Sequence, residues 1–406
     1  MREVVITSVG ACTPIGLNYE EIKESLLQGK SGISLSQDKS LDNFPTRHAG
    51  YIELSKLKLS SESNSRLSLF LQYTASQVFS YANIDKTFYT PERQGCILGA
   101  EPPMLDLYSQ LPNFNKEIKN FEVEKLLLDC GLNPNRLLLG LVRKYSLYGP
   151  GYLHLGTCSA SAQAIGEAAK MIKSNRADLM LCGGISSRVD PMSMLRLIRI
   201  GALAKTSGTP TTLSRPFDKT RTGFTMGEGA IFFILETIEN AQKRGIKPLA
   251  KISGYGAALD GNSITDPHPE SLGMILSMQK AIRDASLSIN QIDYINAHGT
   301  STTKNDKHET QAIKKLFQNR AYDIPISSTK SMHGHLMSAA GAIEALASVI
   351  AINESFIPPT INYNVYDEEC DLNYTPNKSQ NKNLTHVLSN SFGLGGQNAS
   401  LVISKV

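Results

Sequence analysis

Several absences bound this chain of 406 residues. Its cysteines, Cys12, Cys96, Cys130, Cys158, Cys182 and Cys370, form no Cys-x-x-Cys pair and no cluster with histidine at metal-ligand spacing. That argues against a metal site, and the thiols read as those of a reduced, cytoplasmic enzyme. No apolar run long enough to span a bilayer is evident, so no membrane insertion is expected. The start, "MREVVITSVGACTPIG", lacks the apolar core of a secretion signal and reads as a first strand. The formal net charge of +4 is too small to imply nucleic acid, although a local basic patch for an acidic partner stays open. Tryptophan is absent too, and excludes nothing.

What is present is an ordinary globular composition, 41% hydrophobic and 19% charged. The length implies two domains, or one body made of two halves. Short β-rich runs alternate with longer helical ones, which is α/β order. "REVVITSVG", "QGCILGAE", "ADLMLCGG" and "GAIFFILET" read as strands of a first half. "KPLAKISGYG", "QIDYINAHGT", "LTHVLSNSFG" and "NASLVISKV" read as strands of a second. The halves divide near 245, giving 1–245 and 246–406. Helices are expected over "NYEEIKESLLQGKSGI", with Ile22, Leu26 and Leu27 on one face, and over "SLGMILSMQKAIRDASL". "NFNKEIKNFEVEKLLLDCGL" also reads as helical.

Four stretches carry possible chemistry. In "LHLGTCSASAQAIGEAAKMI", a strand ends and Ala162, Ile165, Ala169 and Ile172 begin a helical spacing. Cys158 thus stands at a helix N-terminus, where the dipole and free N–H groups favour thiolate and can hold an oxyanion. Alone, it reads more readily as a small core residue at the head of a tightly packed helix. In "NAHGTSTTKND", His298 ends a strand, where α/β folds place functional loops. In "SSTKSMHGHLMSAAGAIEA", His335 precedes an apolar helical stripe, a position that disfavours imidazolium. Lys330 lies a turn upstream, and His333 has the same chemistry as His335. "SNSFGLGGQNASL" is a glycine loop between strands that permits close approach of a ligand. A thiol, two histidines, a lysine and a glycine loop at element ends are the parts of an acyl-transfer site.

The set "GTCSAS", "SRPFDKTRTGFTMGEGA", "NAHGTSTTKND", "STKSMHGHLMSAAG" and "NSFGLGG" closely resembles the β-ketoacyl-acyl-carrier-protein synthases. The resemblance runs from "VVITSVGACTPIG" to the C-terminus and thins between Glu101 and Tyr148. It implies an α/β thiolase-like fold, a five-layer αβαβα sandwich of two similar halves, and an obligate dimer. It implies Cys158 as the nucleophile that takes the acyl chain as a thioester. His298 and His335 match the histidines of malonyl decarboxylation, Lys330 the site lysine, and Glu309 the acid that usually pairs with it. The N–H groups of Cys158 and Leu394 match the oxyanion hole, with Leu394 and Phe392 at the acyl gate. Thr265, Thr300 and Thr302 match contacts to phosphopantetheine. No cofactor is implied, because acyl carrier protein delivers the substrates.

The missing cysteine in "FGLGGQ" separates the chain from degradative thiolases. Retained His335 separates it from initiating synthases, and retained Cys158 from chain-length-factor subunits. Leu394 stands where Phe is usual, Gln397 and His333 where Thr is usual, Thr222 where an acid is usual, and Ser263 where His is common. These departures favour a specialised type II polyketide or related system over housekeeping fatty-acid elongation. A non-catalytic partner subunit is the other alternative, and the dimer is homomeric or paired with a chain-length-factor-like subunit. Arg66, Arg196, Arg199 and Lys205 are candidates for a basic rim facing the acidic carrier, each also readable as ordinary surface charge.

Overall fold

Phe232 and Phe233 are neighbours in sequence and bury their rings in different cores. The same division separates Ile97 from Leu98, Val387 from Leu388 and Leu401 from Val402. Side chains of a strand alternate between faces, so strands apolar at every position must be covered on both sides. A layered α/β body follows from that pattern. The computed structural model describes residues 2–36, 39–59, 65–85, 87–101, 135–205 and 208–406. Cys130 and the helix expected over 113–132 lie outside the described residues.

The strands in chain order are β1 (Val4–Cys12), β2 (Ile33–Leu35), β3 (His48–Gly50), β4 (Gln94–Gly99), β5 (Gly151–His154), β6 (Leu179–Ser186), β7 (Met226–Gly227) and β8 (Gly229–Thr237). There follow β9 (Ala250–Leu259), β10 (Tyr294–Asn296), β11 (Ile326–Ser327), β12 (Phe356–Ile357), β13 (Gln380–Asn381), β14 (His386–Phe392) and β15 (Gln397–Ser404). The first half orders its main strands β5-β4-β6-β8-β1, and the second orders them β11-β10-β14-β15-β9. In each, the first three strands run parallel and the last two pair antiparallel. The halves are therefore two copies of one topology, joined where β1 meets β9. β2, β3 and β7 form a small separate sheet.

Two helices, Ala160–Lys173 and Ala340–Glu354, lie between the half-sheets and touch strands of both. Outer helices cover the remaining faces, Arg66–Ala82 on β1 and β8, and Leu272–Asp284 on β9 and β15. This is the five-layer thiolase-like sandwich implied by the sequence. The central helices approach closely because their facing residues are small. A Cβ on Gly341 would lie 2.7 Å from the Ala162 backbone nitrogen, and one on Gly99 would lie 2.4 Å from that of Ser161.

Each central helix is entered through the same device. A 3-10 turn precedes it, Thr157–Ser159 in one half and Met337–Ala339 in the other. Thr157 and Met337 both have left-handed backbone, with φ of 49° and 48°. Non-glycine residues pay roughly 1–2 kcal/mol for that conformation. Cys158 and Ser338 are thus internal counterparts.

Two expectations need correction. Leu27 does not share the buried face of its helix: it is exposed, while Ile22 and Leu26 are buried. A helical segment long and apolar enough by length and composition to cross a membrane does occur, at Met337–Glu354. It is 89% buried, as the central core helix of the second half.

Candidate active site

The turn Thr157–Ser159 sets Cys158 at the head of its helix, two residues before the helix begins at Ala160. β10 ends at Asn296 and delivers His298 to the same place, and the turn before the second central helix delivers His335. The sulfur and one ring nitrogen from each histidine lie within 4.8 Å of one another. The two imidazoles meet edge to face, with centroids 5.4 Å apart. Phe392 and Phe224 flank them, at 6.0 Å from His298 and 5.1 Å from His335.

Hydrogen bonds fix the tautomers. The Met337 N–H donates to Nδ1 of His335 at 3.1 Å. Lys330 Nζ lies 3.1 Å from Nδ1 of His298 and donates to the His298 carbonyl at 2.7 Å. With both Nδ1 atoms accepting, Nε2–H is left as the donor of each ring. Burial first, then the charge of Lys330, drives both histidines well below their ordinary pKa. They are neutral donors. The sequence ascribed neutrality at His335 to the helix terminus, whereas burial is the larger cause.

Cys158 also differs from expectation. Burial pushes its thiol up to about 11, against the lowering expected at a helix N-terminus. The Leu394 N–H, donating to the sulfur, pulls the other way, and Glu101 adds to the rise. The thiol is therefore protonated near neutral pH. Thr157 Oγ1 donates to the Leu394 carbonyl at 3.0 Å, which ties the glycine loop to the nucleophile turn.

Lys330 does not pair with Glu309, as the sequence led one to expect. Its ammonium pairs with Glu344, on the second central helix, and both are fully buried. Glu309 instead accepts the backbone N–H groups of His298 and Gly299 at 2.8 and 2.7 Å. Asp306, one turn before it on the Thr303–Phe317 helix, accepts the N–H of Thr300 at 2.9 Å. Two carboxylates on one helical face thus hold three successive amides of the histidine loop. Glu344 was missed because it sits in a stripe that reads as apolar core. Its signal was the single charge inside that stripe.

A cavity of about 380 Å³ is lined by Cys158, His298, His335, Phe392 and Leu394, and by Thr265, Thr300 and Thr302. The threonine hydroxyls of 300 and 302 are 2.8 Å apart. Lys330 and Glu309 stand behind this lining. His333 is outside it, with its ring held by the Gly334 carbonyl and the Thr329 hydroxyl at 2.7 and 3.0 Å. Arg66 leaves the basic rim, because it binds the buried carboxylate of Glu228 and the Ile52 carbonyl. Arg199 directly precedes Ile200 and Gly201, which line the cavity. A larger groove, about 1280 Å³, runs past Thr13, Ser36 and Asp190 and includes none of the site residues.

The sequence matches two family models, described as "Beta-ketoacyl synthase, N-terminal domain" over residues 1–241 and "Beta-ketoacyl synthase, C-terminal domain" over 249–364. It is 36% identical over 416 aligned residues to 3-oxoacyl-[acyl-carrier-protein] synthase 2 of Coxiella burnetii, covering 100% of this chain and 99% of that one. It is 34% identical to the synthase of the same name from Synechocystis, covering 100% and 98%. Among solved structures, the type II polyketide ketosynthase complex AntDE:AntF, titled as an acyl-carrier protein with its ketosynthase bound to the hexaketide, matches at 29% identity. Its TM-score is 0.92, over the whole of both chains. The ishigamide ketosynthase/chain length factor matches at 29% identity and a TM-score of 0.89, covering 100% of this chain and 99% of that one. Two matched domain models, full-length relatives and the doubled α/β topology agree: the chain belongs to the β-ketoacyl synthase family.

Proposed function

We propose that this chain is a β-ketoacyl-acyl-carrier-protein synthase that performs decarboxylative Claisen condensation. The observation that carries the reading is the convergence of Cys158, His298 and His335 within 4.8 Å, with Lys330 behind His298. In the first half-reaction Cys158 Sγ attacks the carbonyl carbon of an acyl-pantetheine thioester. The carbon–sulfur bond to pantetheine breaks, and the carrier thiol leaves with a proton. In the second, malonyl thioester loses carbon dioxide, and the electron pair of the broken bond enters an enolate. The Nε2–H groups of His298 and His335 hold the enolate oxygen as neutral donors, with no acidic proton to quench the carbanion. The carbanion attacks the Cys158 thioester, the bond from the acyl carbon to Sγ breaks, and the released thiolate takes up a proton from water. The N–H groups of Cys158 and Leu394 are the oxyanion hole in both transfers.

Thr265, Thr300 and Thr302 bind the phosphopantetheine arm on this reading, and acyl carrier protein is the partner that presents it. Lys330, held in place by its ion pair with Glu344, orients His298. Glu309 acts as a positioning residue through the His298 loop. The three donors of the site are also types that bind a metal ion. The ammonium of Lys330, 3.1 Å from His298 Nδ1, makes a dication there unfavourable, and no cofactor is required. The functional division follows the halves 1–245 and 246–406, with the nucleophile from the first and the histidines from the second.

β5 is the edge strand of the first half, and Tyr148, Tyr152 and Leu155 are exposed on and beside it. Among the described residues no strand pairs with the outer edge of β5, and such an edge with exposed apolar side chains favours a dimer, with a second copy or a chain-length-factor-like subunit. The pathway reading is type II polyketide or a related specialised system, supported by Leu394 at the gate and by the polyketide ketosynthases among the structural neighbours. Fatty-acid elongation is the second reading, favoured by the 36% identity to a synthase 2. The cytoplasm is the compartment that fits free Cys158 and its carrier-bound substrates. The test is product formation from malonyl carrier protein with saturated or with polyketide primers. Condensation with neither would overturn the proposal.

A further inference from the structure

Two paired side chains near the nucleophile, Glu101 and Arg188, have no part in the mechanism above. Glu101 stands two residues past the end of β4, as His298 stands two past β10. Arg188 stands two residues past β6, as Leu394 stands two past β14. By the internal symmetry they surround Ser338 as His298 and Leu394 surround Cys158. The Ser338 N–H donates to Glu101 at 3.2 Å, and Arg188 pairs with the same carboxylate. The turns that carry Cys158 and Ser338 touch. The Glu101 carboxylate is accordingly close enough for its charge to disfavour thiolate at Cys158.

None of Glu101, Arg188 and Ser338 lines the cavity that holds Thr265, Thr300 and Thr302. The pantetheine arm takes the threonine side of Cys158, so a chain bonded to Sγ needs the other. Glu101 and Arg188 each keep 15% of their side-chain surface open. We propose that this pair forms a polar wall for the acyl chain and selects chains that carry a hydroxyl or keto oxygen near the thioester. This inference rests on the ketosynthase reading. An alkyl chain laid over the pair would strip its remaining water and return no hydrogen bond. A hydroxyl returns both, donating to Glu101 and accepting from Arg188. Sites built to hydrogen-bond a substrate oxygen discriminate strongly against the analogue that lacks it.

The test follows acylation of Cys158 by intact mass, with 3-hydroxyoctanoyl-pantetheine and octanoyl-pantetheine as probes. Wild type should acylate about tenfold faster with the hydroxylated probe. The double variant Glu101→Leu/Arg188→Met replaces the pair with apolar groups of similar size, which spares it an unpaired buried charge. It should lose the preference while iodoacetamide still labels Cys158 at least as fast as in wild type, since the Glu101 charge that disfavours thiolate is gone. Equal rates for the two probes in wild type, or a preference that survives the double variant, would overturn the inference and leave the ketosynthase reading intact. If neither probe acylates a Cys158 that iodoacetamide labels, the ketosynthase reading itself fails.

Discussion

Lys330 pairs with Glu344 rather than Glu309, and the ion pair is buried fourteen residues apart in sequence, between the histidine loop and the central helix. Removing one partner leaves an unpaired buried charge, at a cost of about 3–5 kcal/mol. Glu344→Gln should therefore lower the melting temperature strongly and remove malonyl decarboxylation. Glu309→Gln keeps one acceptor oxygen for the two amides of His298 and Gly299 and should cost about 1–3 kcal/mol. Thermal melts of both variants decide the order. A Glu309→Gln variant less stable than Glu344→Gln would reverse the assignment.

His298→Ala and His335→Ala each remove one neutral donor from the enolate. Loss of one oxyanion donor costs on the order of 10²–10³ in rate. Carbon dioxide release from malonyl carrier protein should fall by that factor in each variant. Unchanged release in both would remove the histidines from the mechanism.

The thiol of Cys158, pushed up to about 11 by burial, gives a distinctive pH profile. Iodoacetamide reacts with thiolate, whose fraction rises about tenfold per pH unit below the pKa. Labelling should climb from pH 7 to 9 without levelling. A plateau below pH 8 would mean that the helix terminus and the Leu394 N–H outweigh burial.

His333 is pushed down to about 3, chiefly by burial and next by Lys330. Its unfolded value is near 6.5, so below that pH the unfolded chain takes a proton that the folded chain refuses. Its contribution to stability is lost as pH falls. The difference in unfolding free energy between wild type and His333→Gln should shift against wild type by about 1.4 kcal/mol per pH unit below 6. Denaturant melts at pH 7 and 5 measure it, and a pH-independent difference would show that His333 is not held neutral.

Much of this was legible in the residues. Cys158 read as the head of a helix because small residues follow it at helical spacing, and His298 read as a strand end. The doubled topology was legible only as two similar runs of elements. The pairing of β1 with β9 joins strands far apart in sequence, which local patterns do not encode. Glu309 was misassigned to Lys330 because the choice between two carboxylates depends on which helix packs behind the loop. Burial of Cys158 was equally hidden: the local sequence shows a helix terminus, not the layers packed around it. Glu101 and Arg188 escaped notice because each lies just past a strand, with no motif to mark it.

The central claim is that Cys158 carries the growing chain. Intact-mass analysis after incubation with acyl carrier protein bearing an acyl group tests it most directly. The account expects one acyl adduct per chain on wild type, mapped to Cys158, and none on Cys158→Ala. An adduct that persists on Cys158→Ala, or a wild-type chain that no acyl carrier protein acylates, would contradict it.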